Sequence, residues 1–541
     1  MTGVAARAVL EARSAAHAWR GGMIAFDRPD RAAVILRAMR DLGQLGAAIK
    51  VSAVRHGDRT GVIDELGCLT FRELDERSDA LACALAARGL REGETVGILC
   101  RNHRGFLDAT FGAGKTGARL LYLNTDFAGP QLRDVCQREE VRLLIHDEEY
   151  EGLMEGIAPD RGRLLAWTDT AAGGDTLEAA IAQHAGQAPP APAEHSAVVL
   201  LTSGTTGTPK GAPRQPGTSL HPIGALLSKV PFRRRQPAYI AAPMFHGLGY
   251  TQMILAGTLG CTTICTRRFK PERVLEAITR WRPSTLVVVP VMLARIVSVL
   301  EAEPGRYDTS SLRIIFASGS QLEAELVRRT QRAIGDVLYN FYGSTEVAWA
   351  TFATPEDLRA APGTAGRPPY GTIVRLYDDE GRPVEGSGRS GRIFVGNGFQ
   401  FDGYTGGGNK EMIDGLMSTG DVGHFDSAGR LFVDGRDDEM IVSGGENLFP
   451  SEVEELLITH PAIEEAAVIG VDDEEFGKRL AAFIVVRGGQ ALSEEDVREF
   501  VKANLARYKV PRDVAFLDAL PRNPTGKVLK RTLHEQHAGV T

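Results

Sequence analysis

Leu200-Leu201-Thr202-Ser203-Gly204-Thr205-Thr206-Gly207-Thr208-Pro209-Lys210-Gly211 is the stretch on which the understanding of the whole chain turns. The apolar run from Ala197 to Leu201 stops abruptly at Thr, Ser, Gly and Pro with a single Lys. That pattern predicts a buried strand emptying into a loop with many hydroxyls and little bulk. Glycines at 204, 207 and 211 let the backbone turn so that several N–H groups converge into an anion nest. The hydroxyls of Thr202, Ser203, Thr205 and Thr206 add donors, and Lys210 adds a movable positive charge. The guest that suits such a loop is a polyphosphate. The loop is not that of the common ATPases, because no Gly-Lys-Ser/Thr follows its glycines at the required spacing.

The rest of the composition narrows the class of protein. At 541 residues the chain exceeds one compact core, so two or more domains are expected. Hydrophobic residues at 43% and charged residues at 24% are those of an ordinary globular protein. The net charge of −7 leaves no electrostatic footprint for nucleic acid. No apolar stretch approaches the ~20 residues of a membrane span, and the most apolar one, Leu286 to Leu300, is broken by Pro290 and Arg295. Arg7, Glu11, Arg13 and Arg20 leave no apolar core for a secretory signal, so a cytoplasmic location is expected. The six cysteines are scattered and are expected to be reduced and buried. Cys261 and Cys265 have no second pair or nearby His to complete a metal site. Residues Ala32 to Val51 have an amphipathic pattern, with Val34, Ile35, Ala38, Met39, Leu42, Leu45 and Ile49 at helical spacing. Packing on its own domain is the preferred reading, with any membrane contact at most peripheral.

Along the chain, Thr70-Phe71-Arg72-Glu73 reads as a capping box opening a helix with Leu74, Ser78, Leu81 and Leu85 on one face. Gly89 ends it and Thr95 to Cys100 follows as a buried strand. Strand–helix alternation to about Ile145 predicts a parallel sheet covered by helices. Gly114-Lys115-Thr116 mimics the end of a Walker loop, but Ala109 stands where its first glycine belongs, and Lys115 reads as a helix-surface residue. Further strands are predicted at Tyr239–Pro243, Thr285–Val289, Leu312–Ala317 and Val337–Tyr342. Beyond Gly363, short segments at Thr372–Tyr377, Arg392–Val395 and Gly403–Tyr404 suggest a small β-rich subdomain. A unit of about 100 residues, typical of a small domain, closes the chain.

Tyr342-Gly343-Ser344-Thr345-Glu346, Ser418-Thr419-Gly420-Asp421, Asp434-Gly435-Arg436, Ser443-Gly444-Gly445-Glu446-Asn447 and Pro521-Arg522-Asn523-Pro524-Thr525-Gly526-Lys527 follow the first loop in order. Together with Thr202–Gly211 they resemble the motif series of the adenylate-forming superfamily: acyl-CoA synthetases, peptide-synthetase adenylation domains and luciferases. Bacterial fatty-acid–CoA ligases are the most similar branch. The resemblance covers nearly everything from Thr70 to Lys530, and the first fifty or so residues lie outside it.

It implies an α/β fold. A large N-terminal domain (1–437) would combine helix-covered, mostly parallel sheets with the β-rich subdomain, and a small mobile α+β domain (438–541) would follow. It implies ATP, Mg²⁺ and coenzyme A. Thr202, Ser203, Gly204, Thr205, Thr206, Gly207 and Lys210 would hold the β- and γ-phosphates. Tyr342 would stack on adenine, with Ser318, Gly319, Ser320, Asn340, Phe341 and Gly343 around it. Thr345 would contact the α-phosphate and Glu346 would bind Mg²⁺. Asp421 would accept from the ribose hydroxyls, a task suited to a two-oxygen acceptor, and Arg436 would contact the nucleotide. Asp438 would be the hinge, and Ser443, Gly444 and Gly445 would meet the CoA arm. Lys527 would bridge the incoming carboxylate and the α-phosphate, and His246 would sit beside that carboxylate.

The residues after His246 are apolar or small apart from Gln252, and none suits an amino acid's ammonium group. A medium- or long-chain fatty acid is the expected substrate, with an aryl acid or a carrier-protein acceptor as alternatives. An inactive nucleotide-binding protein on the same fold would be expected to lack Lys527 or Glu346, and both are present. Monomer and homodimer are both left open.

Overall fold

The computed structural model describes residues 4–170, 175–201, 211–214, 219–401, 403–404, 409–437, 441–443, 446–448, 450–473, 477–505, 509–524 and 526–538. The chain divides into two compact units. One comprises Met1–Phe316 with Pro369–Gly371 and Phe399–Asn409, and the other Ala317–Pro368, Thr372–Gly398 and Lys410–Thr541.

The first unit begins with two helical elements, Val4–Gly21 and Pro29–His56. The first is docked by polar contacts: Ser219 and the Leu220 N–H both donate to Glu11, at 2.9 Å for the N–H, and Arg13 lies 4.3 Å over the Tyr370 ring. The second is not the single amphipathic rod expected from residues 32–51. Gly43 adopts φ 68°, ψ −174° and breaks it into two arms. Ile35, Ala38 and Leu42 of one arm pack on Ala47 and Val51 of the other, while Val34 and Met39, expected on the buried face, are exposed. Gly43 is required here because a Cβ would lie 2.6 Å from the His195 ring, at a φ that other residues avoid.

The capping box at Thr70 forms as expected: Thr70 Oγ1 accepts from the Glu73 N–H at 3.2 Å, and Glu73 accepts from the Thr70 N–H at 2.7 Å. The helix it opens, Phe71–Ala87, buries Leu74, Ser78, Leu81 and Leu85. Lys115 corrects the reading as a surface residue. Its side chain is wholly buried, with Nζ 2.8 Å from Asp75 and 2.5 Å from Asp79. Lys50 reaches the same two carboxylates at 2.8 and 3.4 Å, so two ammonium groups and two carboxylates neutralise one another. A Lys buried without such partners would pay a large desolvation cost, and its partners lie too far away in sequence to announce themselves. The cysteines are all free; Cys68 is exposed and Cys83 half-buried, while the other four are buried as expected.

One sheet of this unit runs in the order Arg163–Trp167, Val141–Asp147, Thr95–Leu99, Arg119–Tyr122, Ala197–Leu201, Gly211–Arg214. All neighbours are parallel except the last pair, which is antiparallel with Leu201 opposite Gly211. A second sheet places Ala238–Ile240 between Thr285–Val288 and Thr263–Ile264, again parallel, as buried β-branched runs favour.

In the second unit, Leu338–Tyr342 pairs antiparallel with Thr351–Ala353. The β-rich part is an antiparallel sheet of Ile373–Tyr377, Gly391–Gly396, Leu416–Phe425, Met412–Ile413 and Leu431–Arg436. Gly403–Tyr404, in the first unit, forms no strand. The C-terminal part packs Pro450–Ile458 and Glu494–Asn504 on a sheet of Ile463–Asp473, Gly477–Val486 and Asp513–Phe516, with Val453, Leu457, Val468, Ile484 and Val501 in its core.

Candidate active site

Residues Thr202, Ser203, Gly204, Thr205, Thr206, Gly207 and Lys210 lie outside the described residues, as do Asp438, Gly444 and Gly445. The frames of two of these segments are described. Leu201 opposite Gly211 closes the base of the first loop, and Ser443 opposite Glu446 closes the two-glycine turn.

In the first unit, His246 stands at the N-terminus of the Gly247–Thr258 helix, with its carbonyl accepting from the Tyr250 N–H at 2.9 Å. The loop before it is held by Asn102, which the motif series does not include. Asn102 is buried; its amide donates to the carbonyls of Ile240 and Ala242 at 3.3 and 2.9 Å, and its oxygen accepts from the Met244 N–H at 2.8 Å. Gly249 is needed because a Cβ would come within 2.2 Å of the Pro243 carbonyl. The Gly247–Thr258 helix spends much of its apolar surface on packing. Leu248, Gln252, Met253, Leu255 and Ala256 are buried, and Gln252, Leu255 and Ala256 line a small cleft of about 20 Å³, room for one water. Tyr250 is half-buried and its ring lies 5.2 Å from that of Tyr122, which stacks on Phe106 at 5.3 Å.

In the second unit the predicted residues converge. Antiparallel register sets Asp421 directly opposite Arg436, whose Nη1 lies 3.4 Å from Asp421 Oδ1. The Tyr342 hydroxyl donates to Asp421 Oδ2 at 2.6 Å. Burial pushes the Asp421 carboxyl up, while Arg436, the Tyr342 hydroxyl, Lys527 and Lys410 pull it back. Lys527, a hundred residues downstream, thus lies within electrostatic reach of Asp421. Thr419 Oγ1 accepts from the Asp421 N–H at 3.1 Å and donates to the Ile393 carbonyl at 3.1 Å, fixing the carboxylate's backbone. Gly420, at φ 79°, leaves room for Lys410 Nζ and Arg436, which a Cβ would meet at 3.4 and 3.5 Å.

Tyr342 ends its strand at a turn too tight for another residue: a Cβ on Gly343 would lie 2.1 Å from the Ala348 carbonyl. Ser344 Oγ accepts from the N–H groups of Glu346 and Val347 at 3.2 and 3.3 Å and so shapes the turn that carries Thr345 and the buried Glu346. Asn397, invisible in the motif series, donates to the Val347 and Trp349 carbonyls at 2.6 and 2.7 Å and clamps the far side of that turn. Asn340 is buried with its amide on the Thr364 carbonyl at 3.2 Å, and Phe341 stacks on Phe352 at 5.2 Å. Ser318 is buried, and Gly319 adopts φ 103°, a conformation that suits glycine.

Lys527 is presented by a preformed turn. Asn523 accepts from the Lys527 N–H through its side chain at 2.9 Å and donates its own N–H to the Lys527 carbonyl at 2.9 Å. Arg522 donates to the Gly526 carbonyl at 2.7 Å and pairs with Glu465 at 2.9 Å. The arrangement joins an aromatic ring, a half-buried carboxylate that can accept two hydrogen bonds, and cations, features that suit a nucleoside phosphate.

Family models match residues 49–405 as "AMP-binding enzyme" and 452–527 as "AMP-binding enzyme C-terminal domain". A feruloyl-CoA synthase of an Amycolatopsis species is 34% identical over 489 residues, covering 88% of this chain and 94% of that protein. A long-chain-fatty-acid–CoA ligase of Mycobacterium tuberculosis is 29% identical over 478 residues, covering 87% and 93%. The structure of the Bacillus subtilis o-succinylbenzoate CoA synthetase, in complex with its acyl-adenylate intermediate, is similar at a TM-score of 0.77 and 28% identity, covering 90% of this chain and 97% of that one. The chain belongs to the AMP-binding family of adenylate-forming enzymes.

Proposed function

We propose that this AMP-forming acid–CoA ligase activates an apolar carboxylic acid. A carboxylate is a poor electrophile, and attack on the α-phosphorus of ATP installs AMP as a leaving group that a thiol then displaces. Both steps bring negative groups together, so positioning and charge stabilisation carry most of the catalysis. The observation that supports this reading is the Asp421 carboxylate, bonded by Tyr342, paired with Arg436 and within the electrostatic reach of Lys527. Asp421 has lone pairs left for ribose hydroxyls beyond those used by Tyr342 and Arg436. The Thr202–Lys210 loop would hold the departing pyrophosphate, Thr345 the α-phosphate, and His246 the substrate carboxylate. Mg²⁺, when bound, neutralises phosphate charge, and the hard carboxylate oxygens of Glu346 suit it. Lys527 would stabilise charge in adenylation only. Rotation about Asp438, between domains 1–437 and 438–541, would then withdraw it and present Ser443–Gly445 to the thiol.

Lys527→Ala is expected to abolish acyl-adenylate formation and to spare thioester formation from supplied acyl-adenylate. Equal loss of both half-reactions would refute the assignment.

A medium- or long-chain fatty acid fits an apolar wall and the mycobacterial relative. A second reading, an aryl acid, is favoured by the Tyr250–Tyr122–Phe106 aromatic run beside the His246 helix and by the feruloyl-CoA synthase relative. Pyrophosphate release across acetate, medium- and long-chain fatty acids and cinnamic-type acids, with and without CoA, separates the two. Release that turns over without CoA would point to a carrier protein instead.

A further inference from the structure

Of the eleven large apolar side chains exposed among the described residues, six lie in the first 40: Val9, Trp19, Phe26, Val34, Leu36 and Met39. Phe26 is 93% exposed and Leu36 70%. Neither is a stray residue on a loose end. The Val4–Gly21 helix is docked through Glu11 and Arg13, and Phe26 packs edge-on against Trp19 at 4.7 Å. The turn carrying Phe26 is pinned at both sides, because Arg55 donates to the Met23 carbonyl at 3.0 Å and grips Asp27 through two nitrogens. Residues 1–48 also lie outside the matched family model, so the family's reaction does not account for this surface.

Beside this turn opens a cavity of about 470 Å³ lined by Arg31, Arg55, His56, Arg59, Arg72 and Arg235. Asp27 neutralises Arg55, and Asp58, the one carboxylate in the lining, lies 2.8 Å from Arg72. Arg31, Arg59 and Arg235 have no ion-pair partner among the described residues. His56 is 8% exposed and its Nδ1 is buried without a hydrogen-bond partner. Burial and the neighbouring arginines push His56 down to about 4, so it stays neutral and the arginines alone set the charge at neutral pH. The wider segment is equally one-sided. Residues 1–56 carry nine Lys and Arg against four Asp and Glu, in a chain whose net charge is −7. A cationic cavity adjoining exposed aromatic and aliphatic side chains matches an amphiphile with an anionic head. A soluble anion would have no use for the apolar residues, and the broad face of an acidic protein would not reach into a recess as a single headgroup does.

We infer that the N-terminal helices and the arginine-lined cavity form a docking site for an anionic phospholipid surface. The headgroup phosphate sits among Arg31, Arg59 and Arg235, and Phe26, Trp19 and Leu36 enter the interfacial layer. The test uses the full chain in co-sedimentation with phosphatidylcholine vesicles and with phosphatidylcholine–phosphatidylglycerol vesicles. Binding is expected to the second only, and to weaken with salt. Replacing the three unpaired arginines together (Arg31→Gln, Arg59→Gln, Arg235→Gln) should lower partitioning roughly a hundredfold. Phe26→Ser, at a site too exposed to affect folding, should lower it roughly tenfold. Equal binding to both vesicle types, or wild-type partitioning by the arginine variant, overturns the inference. So does binding of inorganic phosphate without binding of vesicles, which would mark the cavity as a site for a free phosphorylated solute. Loss of a dimer on Phe26→Ser, seen by light scattering in a chain that ignores both vesicles, would assign the patch to a second copy and also overturn it.

Discussion

Asp421 shows how much a single residue depends on its partners. Its carboxyl is pushed up by burial and pulled down by one arginine, two lysines and one phenol. Asp421→Asn keeps the shape and removes the charge-assisted acceptor, so kcat/KM for ATP should fall ~10- to 100-fold, the scale of one or two hydrogen bonds to a charged group. Pyrophosphate exchange measures this, and an unchanged value would place the nucleotide elsewhere. Lys115 is the opposite case, a charge with a purely structural task. Lys115→Met leaves Lys50, itself one-third exposed, as the remaining cation for Asp75 and Asp79. Stability should drop by about 3 kcal/mol in urea denaturation, because breaking a buried pair strands its partner. A loss within ~0.5 kcal/mol would mean that Lys50 alone satisfies both carboxylates.

At the scale of elements, the site depends on strand register and two short turns. The Leu416–Phe425 and Leu431–Arg436 strands place Asp421 opposite Arg436, and a shift of one residue would send both side chains to the other face. The turn before Lys527 is closed at both ends by Asn523. Asn523→Ala should therefore reduce adenylation about tenfold, with the thioester half-reaction unchanged and stability lowered by no more than ~1 kcal/mol. Equal slowing of both half-reactions would show that the turn does not serve Lys527 specifically. The motif Pro-x-Thr-Gly-Lys is legible in the sequence, whereas the clamp by Asn523 on the residue four positions later is legible only once the turn is seen.

Across the second unit as a whole, carboxylates are gathered from distant parts of the chain. Glu323 precedes the Ala324–Ala333 helix, Glu454 and Glu455 sit on Pro450–Ile458, and Glu465 lies on Ile463–Asp473. Burial, together with Glu454 and Glu455, pushes Glu323 up to about 7, against the pull of Arg522. Gln321 donates to Glu455 at 2.6 Å, and burial raises Glu455 as well. A carboxyl with a raised pKa in the folded state binds its proton more tightly there than when unfolded. Its stabilising effect is present below about pH 4.5 and is lost as pH rises to about 7. Glu323→Gln should flatten this part of the pH–stability curve and leave the variant more stable than the parent at about pH 8. Denaturation midpoints measured from about pH 5 to about pH 8 test it, and a parent and variant with the same slope would rule it out.

The sequence by itself determined the family and the parallel-sheet plan and named the candidate site residues, because these depend on local signals. Glycines mark turns that admit no Cβ, apolar runs mark buried strands, and Tyr342, Glu346, Asp421, Arg436 and Lys527 stand in motifs whose order is distinctive. Only the tertiary structure decided what hangs on contacts between distant residues. Lys115 became a buried ion-pair partner through Asp75 and Asp79, some forty residues away. Asn102 and Asn397 became supports of the site through carbonyls they meet only in the fold. The Pro29–His56 segment read as one amphipathic rod, yet Gly43 breaks it into two arms that pack on one another. Helical periodicity reports which residues share a face; where that face lies, and whether anything covers it, is set by how the chain returns on itself.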